Sequence, residues 1–202
     1  MASDDRENSL SCFQDWMNLQ AQDLSELLHN LDLHKHTANQ NEQNLKQLAE
    51  KGIDHFKRYI EERSKLASAD ISTYYAPSWC STWEISLLWI AGEDHSAEER
   101  LSTRLASLQE DIADQPLALI AKRLREVGEV NGDVEKVFDE FDKDMLEILR
   151  EADNLRLATL EKVLQILSPL QAVDFLAASK KLHLCVHKWG KIKAEKHKRE
   201  AL

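Results

Sequence analysis

Two histidines four residues apart, His183 and His187, are the first residues whose types and spacing could do chemistry. On a helix, positions i and i+4 share a face, with their Cβ atoms about 6 Å apart. Neutral imidazoles so placed can chelate a metal from one side, and imidazole suits iron and zinc. They are poorly placed to be the two axial ligands of one haem, because those approach from opposite sides of the porphyrin. One imidazole would then ligate while the other hydrogen-bonds or competes, or a second ligand would come from another helix or another chain. With no third ligand close by in the sequence, spacing alone favours polar histidines at a helix–helix seam.

A second candidate sits near the N-terminus, the apolar cluster Cys12-Phe13, Trp16-Met17 and Leu19. Aromatic residues and Met are enriched at protein interfaces, yet a stripe at helical period also builds a core. Trp79, Trp83 and Trp89 read as core rather than as a base-stacking platform, since almost no Lys or Arg is interleaved with them. Catalytic signatures do not appear: there is no Gly-rich phosphate loop, no Gly-x-Ser-x-Gly and no His-Glu-x-x-His. The carboxylates of Asp133–Asp153 alternate with Lys136, Lys143 and Arg150 at helical spacing, which reads as a solvated helix face. The expectation is a non-enzymatic protein.

The elements that must position these residues are helices. Only 5 Gly and 3 Pro occur in 202 residues, too few turn formers for a sandwich or barrel, while 43% hydrophobic residues suffice for a packed core. Apolar periodicity predicts a first helix from about Ser9 to Leu33 and a polar connection over 34–43. A second helix follows, carrying Leu45, Leu48, Ile53, Phe56, Ile60, Arg63 and Leu66 on one side and stopped by Pro77. Gly52 inside that helix points to close packing of two helices. Ser81 with Glu84, and Ser96 with Glu99, are capping boxes. The first of them opens a short, nearly all-apolar and therefore buried helix, Trp83–Ala91, that ends at Gly92. Pro116 breaks the helix that starts after Ser96, and the period resumes until Gly128. A Gly- and Pro-free helix follows Asn131-Gly132-Asp133 to Leu167, with Val134, Phe138, Phe141, Met145, Ile148 and Val163 on its core face. Ser168-Pro169-Leu170-Gln171 caps the last helix, whose core residues read as Leu170, Val173, Leu176, Leu184 and Trp189. The fold class is all-α: a bundle of long antiparallel helices with a short buried one.

Charge is uneven. The chain carries a net −10, yet residues 180–202 hold eight Lys/Arg against Glu195 and Glu200. Such a basic tail suits phosphate groups or an acidic partner, or simply complements a helix C-terminus. No stretch is long and apolar enough for a bilayer, so no membrane contact is expected. The acidic N-terminus has no apolar region of the kind a secretory signal needs. Three cysteines without a Cys-x-x-Cys pair favour a reducing compartment, nucleus and cytoplasm.

Several ordered blocks carry a family resemblance. They are Phe13-Gln14-Asp15-Trp16-Met17, Tyr74-Tyr75-Ala76-Pro77-Ser78-Trp79, Trp83-Glu84 through Trp89-Ile90-Ala91-Gly92, and Ser107-Leu108-Gln109-Glu110-Asp111. Glu151-Ala152-Asp153-Asn154-Leu155-Arg156, Ile166-Leu167-Ser168-Pro169 and Lys180-Lys181-Leu182-His183-Leu184 follow. Over roughly residues 10–190 the chain resembles the plant delay-of-germination (DOG) family of seed-dormancy regulators in abscisic acid signalling. The same domain occurs in TGA-class bZIP transcription factors, although no basic region with leucine heptads precedes it in this sequence. The resemblance implies binding and inhibition of clade A type 2C protein phosphatases through the N-terminal element, here Phe13, Asp15, Trp16 and Met17. It also implies haem binding through His183 and His187. The alternative is a transcription-associated module contacting DNA or transcription factors through the basic tail, with direct DNA contact the less favoured mode; a homodimer is kept open. The domain division that follows is a disordered N-terminus over 1–8, a DOG-type helical domain over 9–190 and a basic tail over 191–202. Two departures stand out. Ser11-Cys12 replaces the family's acidic-Ser start, and the chain is dozens of residues shorter after Ala91-Gly92, where family members continue Arg-Pro-Ser into another helix.

Overall fold

Most of the apolar stripes of the sequence lie on long helices. The structure, a computed structural model, describes residues 2–36, 42–75, 77, 79–81, 97–114 and 132–200. The helices are α1 (Ala2–His36), α2 (Glu42–Ala67), the single turn α3 (Ser72–Tyr75), α4 (Ala97–Asp114), α5 (Gly132–Ile166) and α6 (Pro169–Glu200). Among the described residues there is no strand, and the fold is all-α. The expected short helix Trp83–Ala91 and the segment from Pro116 to Gly128 lie outside the described residues, as do Trp83 and Trp89.

Cross-helix contacts set the packing. α1 and α6 run antiparallel: Phe13 meets His187, Asp23 meets Lys180, and Leu27 joins the cluster of Val173 and Leu176. α2 runs back along α1, with Trp16 against Tyr59, Asp23 against His55, Glu26 against Lys51 and Asn30 against Asn44. α5 is antiparallel to α2, tied by Lys57–Glu161 at 2.8 Å and by Arg63–Asp153. One apolar cluster joins α1, α2 and α6 through Leu27, Leu45, Leu48, Ala49, Val173 and Leu176, with Leu160 and Leu164 of α5 at its edge. A second, centred on Ala67, Ile71 and Met145, gathers Tyr74, Tyr75, Leu105, Leu108 and Phe141.

Local signals explain several boundaries. Ser168 N–H donates to Gln171 Oε1 at 3.0 Å, and Gln171 N–H donates to Ser168 Oγ at 3.4 Å, so the capping box read from the sequence forms and sets the start of α6. A Cβ on Gly52 would stand 3.1 Å from Leu176 Cδ1, which is why that position in α2 is glycine: α6 passes directly over it.

Other boundaries differ from expectation. α2 ends at Ala67, ten residues before Pro77, because Ser68 Oγ donates to Lys65 O and Asp70 accepts from Thr73 N–H and Oγ1, starting α3 instead. α1 begins at Ala2 rather than near Ser9, and α6 stays helical to Glu200 through the basic tail. Phe138 (44% exposed), Leu170 (39%) and Trp189 (55%) are surface residues rather than core, since a long helix covered on one side leaves its other faces in water.

Candidate functional site

Phe13 of the N-terminal element and His187 of the histidine pair meet on the α1–α6 seam. Phe13 is half-buried, edge-on to His187 at 5.3 Å and 6.0 Å from Trp79, which in turn meets Tyr74 at 5.9 Å. One turn on, Trp16 stacks on Tyr59 with centroids 4.3 Å apart and an interplanar angle of 11°, lies 6.0 Å from Phe56, and has Lys180 Nζ 5.8 Å from its ring. Trp16 and Met17 are each only 8% exposed, whereas Asp15 faces water. Both side chains, expected to contact a partner, thus lie on the covered side of α1. The helical period that placed them on one stripe turns that stripe inward against α2 and α6, leaving Asp15 outward with Ser11, Gln14 and Asn18.

His183 is exposed and His187 half-buried. Among the described residues no group of three His, Cys, Asp or Glu side chains could hold a metal. A cleft of about 630 Å³ lies along α2, lined by Gln47, Glu50, Lys51, Asp54, Lys57 and Arg58, and its charged walls do not suit a porphyrin. Neither imidazole of the pair lines that cleft.

Beneath the seam lies a polar cluster that the sequence reading missed. The Asp23 carboxylate accepts from Lys180 Nζ at 2.8 Å and lies 3.0 Å from His55 Nδ1, while Lys180 also donates to Gln20 Oε1 at 3.3 Å. Asp23, Lys180, His55 and Gln20 are all buried, and they tie α1, α2 and α6 at one level. Burial pushes the Asp23 carboxyl up, but the hydrogen bonds from Lys180 and His55 outweigh it and hold the group below its ordinary value.

A second lock joins α2 to α5. Arg63 pairs with Asp153, which also accepts from Arg156 at 3.0 Å, and the Arg63 guanidinium lies 5.6 Å from the Tyr59 ring. Asp153 is 4% exposed, so the solvated face expected for Asp133–Asp153 is interrupted there. Burial pushes the Tyr59 hydroxyl up to about 12. Burial also raises the Cys12 thiol, with Glu62 and Asp15 adding to it, the reverse of a reactive thiolate. The one signal for these groups in the sequence was a charged residue standing where the apolar period calls for a hydrophobe: Asp23 four before Leu27, Lys180 four after Leu176, Arg63 on the stripe of α2.

Comparison with known proteins bears on this architecture. The family model described as seed dormancy control, DOG1, matches residues 23–96. The Arabidopsis thaliana protein DOG1-like 3 is 28% identical over 243 residues, covering 91% of this chain and 84% of its own length. DOG1-like 1 of the same plant is 29% identical, covering 93% and 90%. Along most of its length the chain is similar to proteins of the DOG seed-dormancy family. The match to the DOG model takes in Asp23, His55 and Arg63 and stops at Ser96, within the stretch where the chain departs from the family pattern. An alignment of 243 residues against a chain of 202 means that the DOG relative carries residues without counterpart here. A further Arabidopsis relative, named RESPONSE TO ABA AND SALT 1, is 26% identical over 65% of this chain and 73% of its own.

Proposed function

We propose that this protein is a DOG-family, non-enzymatic regulator of seed dormancy and abscisic acid responses that binds and restrains a clade A type 2C protein phosphatase, in the nucleus and cytoplasm. The observation that carries the reading is likeness along most of the chain to DOG1-like proteins, together with a relative named for its response to ABA and salt. In this reading the contact is made by the outward face of α1, where Ser11, Gln14, Asp15 and Asn18 are exposed, because the indole is buried. Phe13, Trp16 and Met17 act by holding that face rigid rather than by touching the partner.

The test is phosphatase turnover in the presence of the purified chain. Turnover should fall, and Asp15→Lys should weaken the inhibition at least several-fold with an unchanged melting temperature. Undiminished turnover across a panel of clade A phosphatases would refute the reading. Haem enters the proposal as a surface ligand of a single imidazole of the His183/His187 pair. Reconstitution should give a Soret band, and an unchanged band in the His183→Ala, His187→Ala variant would remove the pair from it.

A second reading, a transcription-associated module, draws on one observation: α6 carries exposed Lys191, Lys193, Lys196, Lys198 and Arg199 on its last turns. DNA retention should then fall steeply with salt and vanish on deletion of residues 191–202. Absence of retention at low salt dismisses it.

A further inference from the structure

α6 has two apolar faces, and among the described residues the bundle covers one. Val173, Leu176, Ala177 and Lys180 turn inward. On the opposite side stand Phe175, Ala178, Leu182, Cys185, Trp189 and Ile192, at successive spacings of three, four, three, four and three residues. This is the a/d pattern of a coiled-coil strand, sustained for about 26 Å of helix. All six are exposed: Phe175 38%, Leu182 66%, Trp189 55% and Ile192 50%, with Ala178 and Cys185 alongside. A strict a/d line is narrower than the broad apolar face of a helix lying in a membrane surface.

The flanks say what fits. Lys181 and Lys188 border the line on one side and Lys193 on the other, and the same line runs on into Lys196 and Arg199; Asp174 and Glu195 stand at the two ends of the first border. A second copy of this helix is badly matched. Laid antiparallel with the six residues in register, Lys181 would face Lys188 of the other copy and Asp174 would face Glu195. Laid parallel, Lys188 would face Lys193. Like charges at these flanking positions are what coiled coils use to reject a partner.

We propose that the outward face of α6 is a docking seam for an acidic amphipathic helix of another protein, with apolar residues at three–four spacing and Glu or Asp on its flanks. The apolar line supplies burial, and the lysine borders set sign and register.

The test uses the full chain and two synthetic three-heptad helices with leucine at a and d, one flanked by Glu and its twin by Lys. The Glu helix should bind at least about tenfold tighter than the Lys twin. Its affinity should fall as salt rises. The Leu182→Ser, Trp189→Ser, Ile192→Ser variant should lose that binding while keeping its helical circular dichroism and melting temperature, because all three residues face water. Equal binding of the two helices, or binding of neither, overturns the proposal. So does a dimer in sedimentation that the triple variant abolishes, which would give the seam to a second copy. Partition onto anionic vesicles lost in the same variant would give it to a lipid surface and overturns it too.

Discussion

Lys180→Met is the substitution that most directly probes the buried cluster. In the wild type the Asp23 carboxylate and the Lys180 ammonium are 2.8 Å apart, each side chain 6% exposed. Removing the cation leaves Asp23 buried with His55 as its remaining partner, and stranding one member of a buried pair costs about 3–5 kcal/mol. At this chain length each kcal/mol moves the melting temperature by about 2–4 °C, so the drop should be roughly 6–20 °C. Replacing both ends, Asp23→Leu with Lys180→Met, removes the stranded charge and should recover most of that loss. Urea denaturation of the wild type, both singles and the double gives the coupling directly. Lys180→Met within about 0.5 kcal/mol of wild type, or a double variant no better than the single, would refute the reasoning.

The same cluster predicts an acid limb. Because the Asp23 carboxyl is held below its ordinary value, its share of the stability is complete above about pH 4 and is lost as pH falls through the folded value. Asp23→Asn should flatten that limb in a urea series between pH 5 and 2. Tyr59 gives the opposite limb: with its hydroxyl raised to about 12, its contribution is complete below about pH 10 and lost between there and 12, and Tyr59→Phe should remove that dependence. Gly52→Val, pressing a branched side chain against Leu176, should cost about 1–3 kcal/mol by thermal or chemical denaturation. Arg63→Met should destabilise more than the Arg63→Met, Asp153→Leu pair, since Asp153 is buried.

Much of the scaffold was legible because it rests on local rules. The Ser168–Gln171 capping box and the Gly52 contact both form as the sequence suggested, and the stripes of α2 and α6 face inward through Leu45, Leu48, Val173 and Leu176. Periodicity fails where burial depends on a second helix. It placed Trp189 and Phe138 in the core, but no described neighbour covers them. It gave Asp153 to solvent and missed Asp23 and Lys180, because a charge can occupy a core position only when its partner arrives from elsewhere in the chain, here 90 and 157 residues away. For the N-terminal element, the inward direction of Trp16 and Met17 followed from where α2 and α6 lie, a fact no spacing within α1 encodes.

The antiparallel pairing of the first helix with the last has a consequence for biosynthesis. Trp16, Met17, Asp23 and Leu27 emerge from the ribosome long before the helix that shields them, and their shelter is completed only when residues 173–187 have been made. Until then the nascent chain displays an apolar flank beside an uncompensated carboxylate, the condition in which chaperones engage and aggregation competes. A message truncated before codon 169 would yield a product that keeps three long helices yet cannot close, and quality control should remove it rather than let it persist as a shortened regulator.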